Sequence, residues 1–288
     1  MLDLFPSREA GPFGRRRKRA RGARLPVTVV TGFLGAGKTT LVRRFLATPE
    51  GAGTAVVINE FGSVGIDDAL IRGSTDEVTL LGNGCLCCNT RSDLQVALRN
   101  LFAERAQGKV PQFARILIET SGLADPGPIL QTFATDRALG GEFHVEVVLA
   151  VIDAVSGLDT LDWSAEARKQ VILADRLVVT KTDLAKRALA RLTARLTELN
   201  PRAALETAVD GDLDPRCFLE TDAGEPRASD HMGFVAEAEH SDGIVSFVVT
   251  DAAPLPWEAF ARCMETLIAL RGPDLLRVKG FLKVAGCR

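Results

Sequence analysis

The residues 32–40, GFLGAGKTT, combine glycines, one lysine and paired threonines at a spacing suited to holding phosphate. Gly35 and Gly37 have no side chains, so successive backbone N–H groups can converge on anionic oxygens where a helix begins. Lys38 would reach the β and γ phosphates, and Thr39 would offer a hydroxyl to Mg²⁺. Gly32, Ala36 and Thr40 complete the turn. An apolar β-branched run from Leu25 to Thr31 precedes the motif and a helical period from Lys38 to Ala47 follows it, the setting that a P-loop requires.

Two more segments carry complementary chemistry. Arg115 to Gly122 reads as a strand ending in an acid, Glu119, with a glycine three positions later. Glu119 would act through Mg²⁺ or its water, and Gly122 would sense the terminal phosphate through its backbone N–H. Thr180-Lys-Thr-Asp183 also ends a predicted strand. Asp183 can accept from both guanine N1–H and the 2-amino group, which adenine does not offer, while the stem of Lys181 can lie across the base. Lys38, Thr39 and Glu119 are therefore the candidate catalytic groups, and GTP with Mg²⁺ is the expected ligand pair.

Of the six cysteines, Cys85, Cys87 and Cys88 fall within four residues in GNGCLCCN, residues 82–89. Three thiolates in a glycine-supported turn can meet one soft cation with tetrahedral preference, leaving a fourth position for water, another side chain or a recipient's ligand. Small buried hydrophobes are the alternative reading of such a cluster. Glycines before it and Asn-Thr-Arg after it place it in a loop and favour metal. Adjacent cysteines pair poorly with each other, which argues for a reducing compartment and a cytoplasmic location.

The elements that must position these groups follow from periodicity. Further strands are expected at 54–58, 77–81, 113–118, 145–152, 177–180 and 203–206. Helices are expected at 92–104, 129–139, 165–173 and 184–199. Short β-branched strands alternating with helices imply an α/β fold, a three-layer α-β-α P-loop domain with a mainly parallel sheet. Its ligand would sit at the strand C-terminal ends. Residues 211–238 turn polar and irregular and read as a linker. A strand at 244–249, a helix at 257–270 and a strand at 275–284 then suggest a small, apparently truncated α+β unit over 239–288.

Length and composition bound the remaining classes. The chain has 288 residues, 46% hydrophobic and 25% charged, near the globular average, which excludes wholesale disorder and coiled-coil readings. No apolar run reaches the roughly 18 residues of a membrane span, and a basic cluster occupies the place of a signal peptide's apolar stretch, which argues against export. Residues 1–24 hold eight basic side chains against Asp3 and Glu9, a net +6, so the overall −2 leaves −8 on the remaining body. An acidic body argues against specific nucleic-acid binding. The basic extension reads as solvated and disordered, or as a start codon placed too far upstream, with RNA or anionic lipid as alternative contacts.

Taken together, GFLGAGKTT, NEFG (Asn59 to Gly62), GCLCC, ETSGLADP (Glu119 to Pro126), TKTD and RVKGF (Arg277 to Phe281) resemble the CobW-type metallochaperones, a family of P-loop GTPases. The match runs from about Leu25 to the end, and the CxCC inside a GTPase domain is its most specific element. The resemblance implies GTP hydrolysis and a cargo of zinc, or in some relatives cobalt, loaded into a client metalloprotein. It assigns Gly35, Gly37, Lys38, Thr39 and Thr40 to phosphate and Mg²⁺, places Glu60 and Glu119 near the metal–nucleotide centre, and gives Cys85, Cys87 and Cys88 the cargo. A homodimer is compatible with it. A zinc buffer or sensor whose affinity nucleotide merely tunes is the alternative; a P-loop kinase lacks any second-substrate motif.

Departures from the family pattern matter too. Ser63 stands where many relatives have an acid after NEFG, and Thr180 replaces the usual asparagine. A His-rich segment is missing, since only His144, His231 and His240 occur, and His240 is not assigned to the metal. Relatives usually continue past RVKGF, so an exposed sheet edge is expected there. No glutamine follows Gly122 to position water, so intrinsic hydrolysis should be slow.

Overall fold

The computed structural model describes residues 24–59, 91–136, 138–219, 233–239, 245–250, 253–276, 278, 280 and 282–286. The expected strand at 77–81, Glu60, Ser63, the cysteines Cys85, Cys87 and Cys88, residues 1–23, His231 and His240 lie outside the described residues, as do most of NEFG and Arg277, Lys279 and Phe281.

Six strands form one sheet: β1 (Leu25–Gly32), β2 (Thr54–Asn59), β3 (Arg115–Thr120), β4 (Phe143–Asp153), β5 (Arg176–Thr180) and β6 (Ala204–Ala208). Their order is β2-β3-β1-β4-β5-β6, and all five ladders are parallel. Each strand is rich in β-branched or aliphatic residues because a parallel sheet is covered on both faces. Alternation then divides the core. Val27 and Val29 of β1 join Ile116, Ile118, Val148 and Ala150 on one face, while Val30 joins Val56, Leu117, Leu149 and Val151 on the other.

The first face is covered by α2 (Arg91–Ala106), α3 (Gly127–Thr135), α5 (Gly157–Trp163), α6 (Ala165–Ile172) and α7 (Lys186–Leu199), through side chains such as Leu98, Ile129, Leu161, Val171 and Leu196. The second is covered by α1 (Lys38–Leu46), whose Leu41, Val42, Phe45 and Leu46 fall on one stripe. Residues expected as linker contribute here. A 3₁₀ turn at Pro215–Phe218 buries Cys217 and Phe218. Phe218 stacks on Phe45 with ring centres 4.3 Å apart, and its carbonyl accepts from Thr28 Oγ1 at 2.6 Å. Burying a phenylalanine contributes about 2 kcal/mol, enough to fix this segment against the sheet.

Other expectations are corrected. The helix expected at 129–139 breaks at Asp136, whose Oδ1 accepts from the N–H groups of Ala138 and Leu139 and so starts the short helix α4 (Leu139–Glu142). Helix α5 was not expected. The expected linker also contains a strand, β7 (Gly233–Glu239), paired antiparallel with β8 (Val245–Thr250). Helix α8 (Trp257–Arg271) follows, with no buried residue. No strand forms among the described residues of 275–284. A 3₁₀ turn at Gly272–Asp274 leads instead to a single parallel bridge between Leu255 and Val284. Gly280 weakens any strand there, and the two-stranded β7–β8 sheet does not extend to it.

The strand order places β1 between β3 and β4, with connections departing to either side. The crevice at the C-terminal end of β1 is thus the switch point where α/β sheets bind ligands.

Candidate functional site

The chain leaves β1 at Gly32, where φ is +140° and a Cβ would meet Val151 O at 2.2 Å, so a side chain does not fit. Gly35 and Gly37 also have positive φ, and Gly37, in the left-handed region, directly precedes the first turn of α1. That turn has no acidic residue, so its exposed N–H groups and the positive end of the helix dipole favour an anion. Lys38 is only 8% exposed, and its ammonium donates to Gly32 O at 2.8 Å and Phe33 O at 3.2 Å. The loop therefore curls around a cationic centre. Ala36 is buried beneath it, whereas Thr40 is exposed on the outer side of α1, beside Gly211.

Thr39 Oγ1 donates to Glu119 Oε1 at 2.6 Å. Glu119 sits at the end of β3 in register with Val30 and Ile58 and is 5% exposed. A hydroxyl and a carboxylate side by side next to this glycine-rich loop are hard oxygen donors of the kind Mg²⁺ takes, so the residues fit that ion. One residue on, Thr120 Oγ1 donates to Thr31 Oγ1 at 2.9 Å, tying the ends of β3 and β1 together. Gly122 follows in the loop to α3 and presses on the backbone of Leu34.

The third segment is attached to the same loop. Thr180 is buried at the end of β5, its Oγ1 2.7 Å from Ala36 O and 3.2 Å from Ile152 O. Lys181 has φ +56° and extends Nζ to Gly35 O at 3.0 Å and to Asp153 Oδ2 at 2.5 Å. Asp183 is exposed in a turn closed by Leu184 N–H to Lys181 O. Gly32, Gly35, Ala36, Gly37, Lys38, Thr39, Glu119, Gly122, Thr180, Lys181 and Asp183 all lie on loops at the C-terminal end of the sheet or on the element ends that bound them.

Two residues that sequence reasoning did not single out belong to this arrangement. Asp153 ends β4, and its Oδ1 accepts from Val155 N–H at 2.7 Å while Oδ2 holds Lys181. Gln170 on α6 donates to the carbonyls of Gly122 and Ala124. An acid directly after a predicted strand was the available signal for Asp153. Gln170 had none, because a glutamine on an amphipathic helix reads as a solvated position.

The model for the CobW/HypB/UreG nucleotide-binding domain matches residues 26–206, and that for the cobalamin synthesis protein cobW C-terminal domain matches residues 244–288. The chain is 38% identical over 265 residues to the zinc chaperone YjiA of Escherichia coli, covering 91% of this chain and 83% of the relative. It is 35% identical over 305 residues to the zinc chaperone CobW of Pseudomonas aeruginosa, covering 92% and 78%. Among solved structures, Zn(II)-bound YjiA GTPase from E. coli superposes with a TM-score of 0.57 at 31% identity over 91% of this chain and 83% of that one. With a matched nucleotide-binding domain over most of its length and a matched C-terminal domain after it, the chain belongs to the CobW/HypB/UreG family.

Proposed function

We propose that this protein is a GTP-hydrolysing metallochaperone that carries zinc on Cys85, Cys87 and Cys88 and transfers it to a client metalloprotein. The observation that carries the nucleotide half is the joining of three loops into one crevice. The buried Lys38 centres the phosphate loop, Thr39 and Glu119 stand 2.6 Å apart beside it, and Thr180 and Lys181 fasten the base-reading turn to Ala36 and Gly35. The cargo half is supported by the three-thiol motif and by the zinc chaperones to which the chain is similar.

In this reading Gly35, Gly37 and the first turn of α1 bind the phosphates, Lys38 opposes the charge that builds on the β and γ oxygens, and Asp183 reads guanine. Thr39 and Glu119 would hold Mg²⁺, which when bound neutralises charge across the β and γ phosphates. The family resemblance assigns Glu60 and Thr40 to the same metal–nucleotide centre. Zinc is cargo, with cobalt as the alternative that the family resemblance implies.

Thiolates lose their protons to bind zinc, and the cysteine motif lies in the chain between the phosphate loop and the Glu119–Gly122 segment. Zinc affinity therefore differs between the GTP and GDP states, and by linkage zinc shifts the relative affinity of the two nucleotides by the same factor. The test is chelator-competition titration of the reduced protein with Mg²⁺ and either a non-hydrolysable GTP analogue or GDP. Tighter zinc binding with the GTP analogue is expected, and equal affinities would refute nucleotide-gated delivery. Retained tight binding in a Cys85, Cys87 and Cys88 triple-serine variant would refute the cysteine assignment.

A further inference from the structure

Gln170 is 1% exposed, and its Nε2 donates to Gly122 O at 3.2 Å and Ala124 O at 3.0 Å. Both acceptors lie in the loop between β3 and α3. The preceding residue on α6, Lys169, pairs with Asp125 Oδ2 at 3.0 Å, and Asp125 Oδ1 accepts from Gly127 N–H at 2.8 Å. The loop is thus fastened to α6 along its length, with the buried amide holding the end nearest the phosphate loop.

On its other side the loop abuts the phosphate loop. A Cβ on Gly122 would lie 2.6 Å from Leu34 N and 2.7 Å from Leu34 Cα, so only glycine allows this approach. Glycine is also the residue with the widest backbone freedom. A position that needs glycine for clearance therefore has peptide planes free to rotate unless something outside the loop holds them. Within the loop Ala124 N–H donates to Ser121 O at 3.1 Å, and the two hydrogen bonds from Gln170 hold that turn from outside through the Gly122 and Ala124 carbonyls.

We propose that Gln170 is a positioning residue for recognition of the terminal phosphate. By fixing the Gly122 and Ala124 carbonyls it anchors the turn, closed by Ala124 N–H to Ser121 O at 3.1 Å, whose Ser121–Gly122 peptide directs the Gly122 N–H at the γ-phosphate. The proposal rests on the GTP reading above and names how that site tells triphosphate from diphosphate. GDP has no γ-phosphate, so its contacts with the phosphate loop, Lys38 and the base-reading turn bypass residues 122–124. Replacing Gln170 by a side chain without a donor strands two carbonyls, which turn toward water and carry the loop with them.

The experiment compares the full-length wild type with Q170L and Q170E, measuring affinity for a non-hydrolysable GTP analogue and for GDP with Mg²⁺ present. Loss of the two bonds is expected to weaken the GTP analogue by about tenfold and leave GDP within about twofold, so the GTP-to-GDP preference falls. Equal weakening of both nucleotides, the signature of a merely structural glutamine, overturns the proposal, as does an unchanged preference. Q170E keeps the volume and a polar head but no donor at neutral pH, and it carries the comparison if Q170L does not fold. Hydrogen exchange in the wild type adds a readout that needs no variant. The amides of 122–124 should be better protected with the GTP analogue than with GDP, and equal protection overturns the proposal. A wild type that binds neither nucleotide refutes the GTP reading itself, whereas guanine-nucleotide binding with an unchanged preference in the variants refutes only the role of Gln170.

Discussion

Substituting Asp153 by asparagine tests whether the turn at residues 180–183, proposed to read the base, is held from β4. The side chain is 12% exposed and joins Lys181 Nζ at 2.5 Å, while the lysine is 39% exposed and also reaches Gly35 O. Asparagine keeps the volume and can still accept from Val155 N–H through Oδ1, but its amide nitrogen then faces Lys181, so the change removes both the charge and the acceptor opposite the lysine. A buried hydrogen bond to a charged group contributes about 1.5–3 kcal/mol, and an exposed ion pair about 0.2–1. With the lysine more than a third exposed, solvent screening brings this pair to about 1–2 kcal/mol. Lys181 also adopts a positive φ of +56°, uncommon for a residue with a side chain. Once the clamp is loosened the turn relaxes from that conformation, and nucleotide binding must restore it.

Each 1.4 kcal/mol is tenfold, so D153N should weaken nucleotide binding by about 5–30-fold. Because GTP and GDP share the base, both should weaken by the same factor, with turnover at saturating GTP unchanged. Calorimetric titration with each nucleotide and a phosphate-release assay measure this. A double variant D153N/K181M should lose no more than K181M alone, since the two residues act as one unit. Unchanged affinity in D153N, or a loss confined to GTP, would refute the clamp.

Lys38→Ala should lower GTP turnover by about 100-fold or more, because the lost ammonium opposes charge at the β and γ phosphates. Phosphate release at the wild-type rate would refute the phosphate-loop assignment. Asp183→Asn should weaken GTP relative to xanthosine triphosphate, since an amide donates to the xanthine 2-oxo group, and competition binding with an unaltered preference would show that Asp183 does not read the base. Asp136 offers a test of stability against pH. Burial alone would raise its pKa, but hydrogen bonds from Leu139 N–H, the Arg99 guanidinium and Ala138 N–H outweigh it and hold the carboxyl below its usual range. A lowered folded-state pKa contributes stability that is present above the unfolded value of about 3.9 and is lost as pH falls through the folded one. Asp136→Asn should therefore lower stability at pH 7 by about 1 kcal/mol, or about 2–4 °C in Tm, and the gap from wild type should narrow in acid. A gap that stays constant to low pH would show that the charge plays no part.

The parallel sheet was legible because its strands are short continuous runs of valine, isoleucine and leucine, a pattern that burial on both faces imposes and few other settings do. The turn between β1 and α1 was legible because glycine, lysine and threonine at fixed offsets follow such a strand and open a helix. What escaped was set by tertiary contact. Helix α5 is seven residues long, too short for its period to stand out. The break at Asp136 depends on a side chain taking over two backbone donors, which periodicity does not register. Phe218 sits in a polar stretch, and only its stacking on Phe45 draws that stretch into the core. Residues 275–284 read as a strand in sequence, yet strands require a partner edge, and among the described residues this segment makes only the single bridge from Val284 to Leu255.

The loop from Gly122 to Gly127 meets three neighbours that differ in what they can report. Leu34 belongs to the phosphate loop, Gln170 and Lys169 to the helical layer, and Leu276 to the C-terminal segment. A Cβ on Gly127 would lie 3.3 Å from Leu276 Cδ2 and 3.0 Å from Asp125 Oδ1, so the bare backbone at Gly127 is what lets Leu276 approach the start of α3. Packed interfaces of this kind shift between discrete arrangements rather than deforming smoothly. A displacement of the loop large enough to free Gly122 from Leu34 must therefore either carry Leu276 with it or break that contact. Leu276 packs against the main core only as a partly buried side chain, whereas Gln170 is fully enclosed. The contact that yields first is then the one to the C-terminal segment, which makes Leu276 the point where loop movement around the phosphate site would be felt outside the nucleotide-binding sheet.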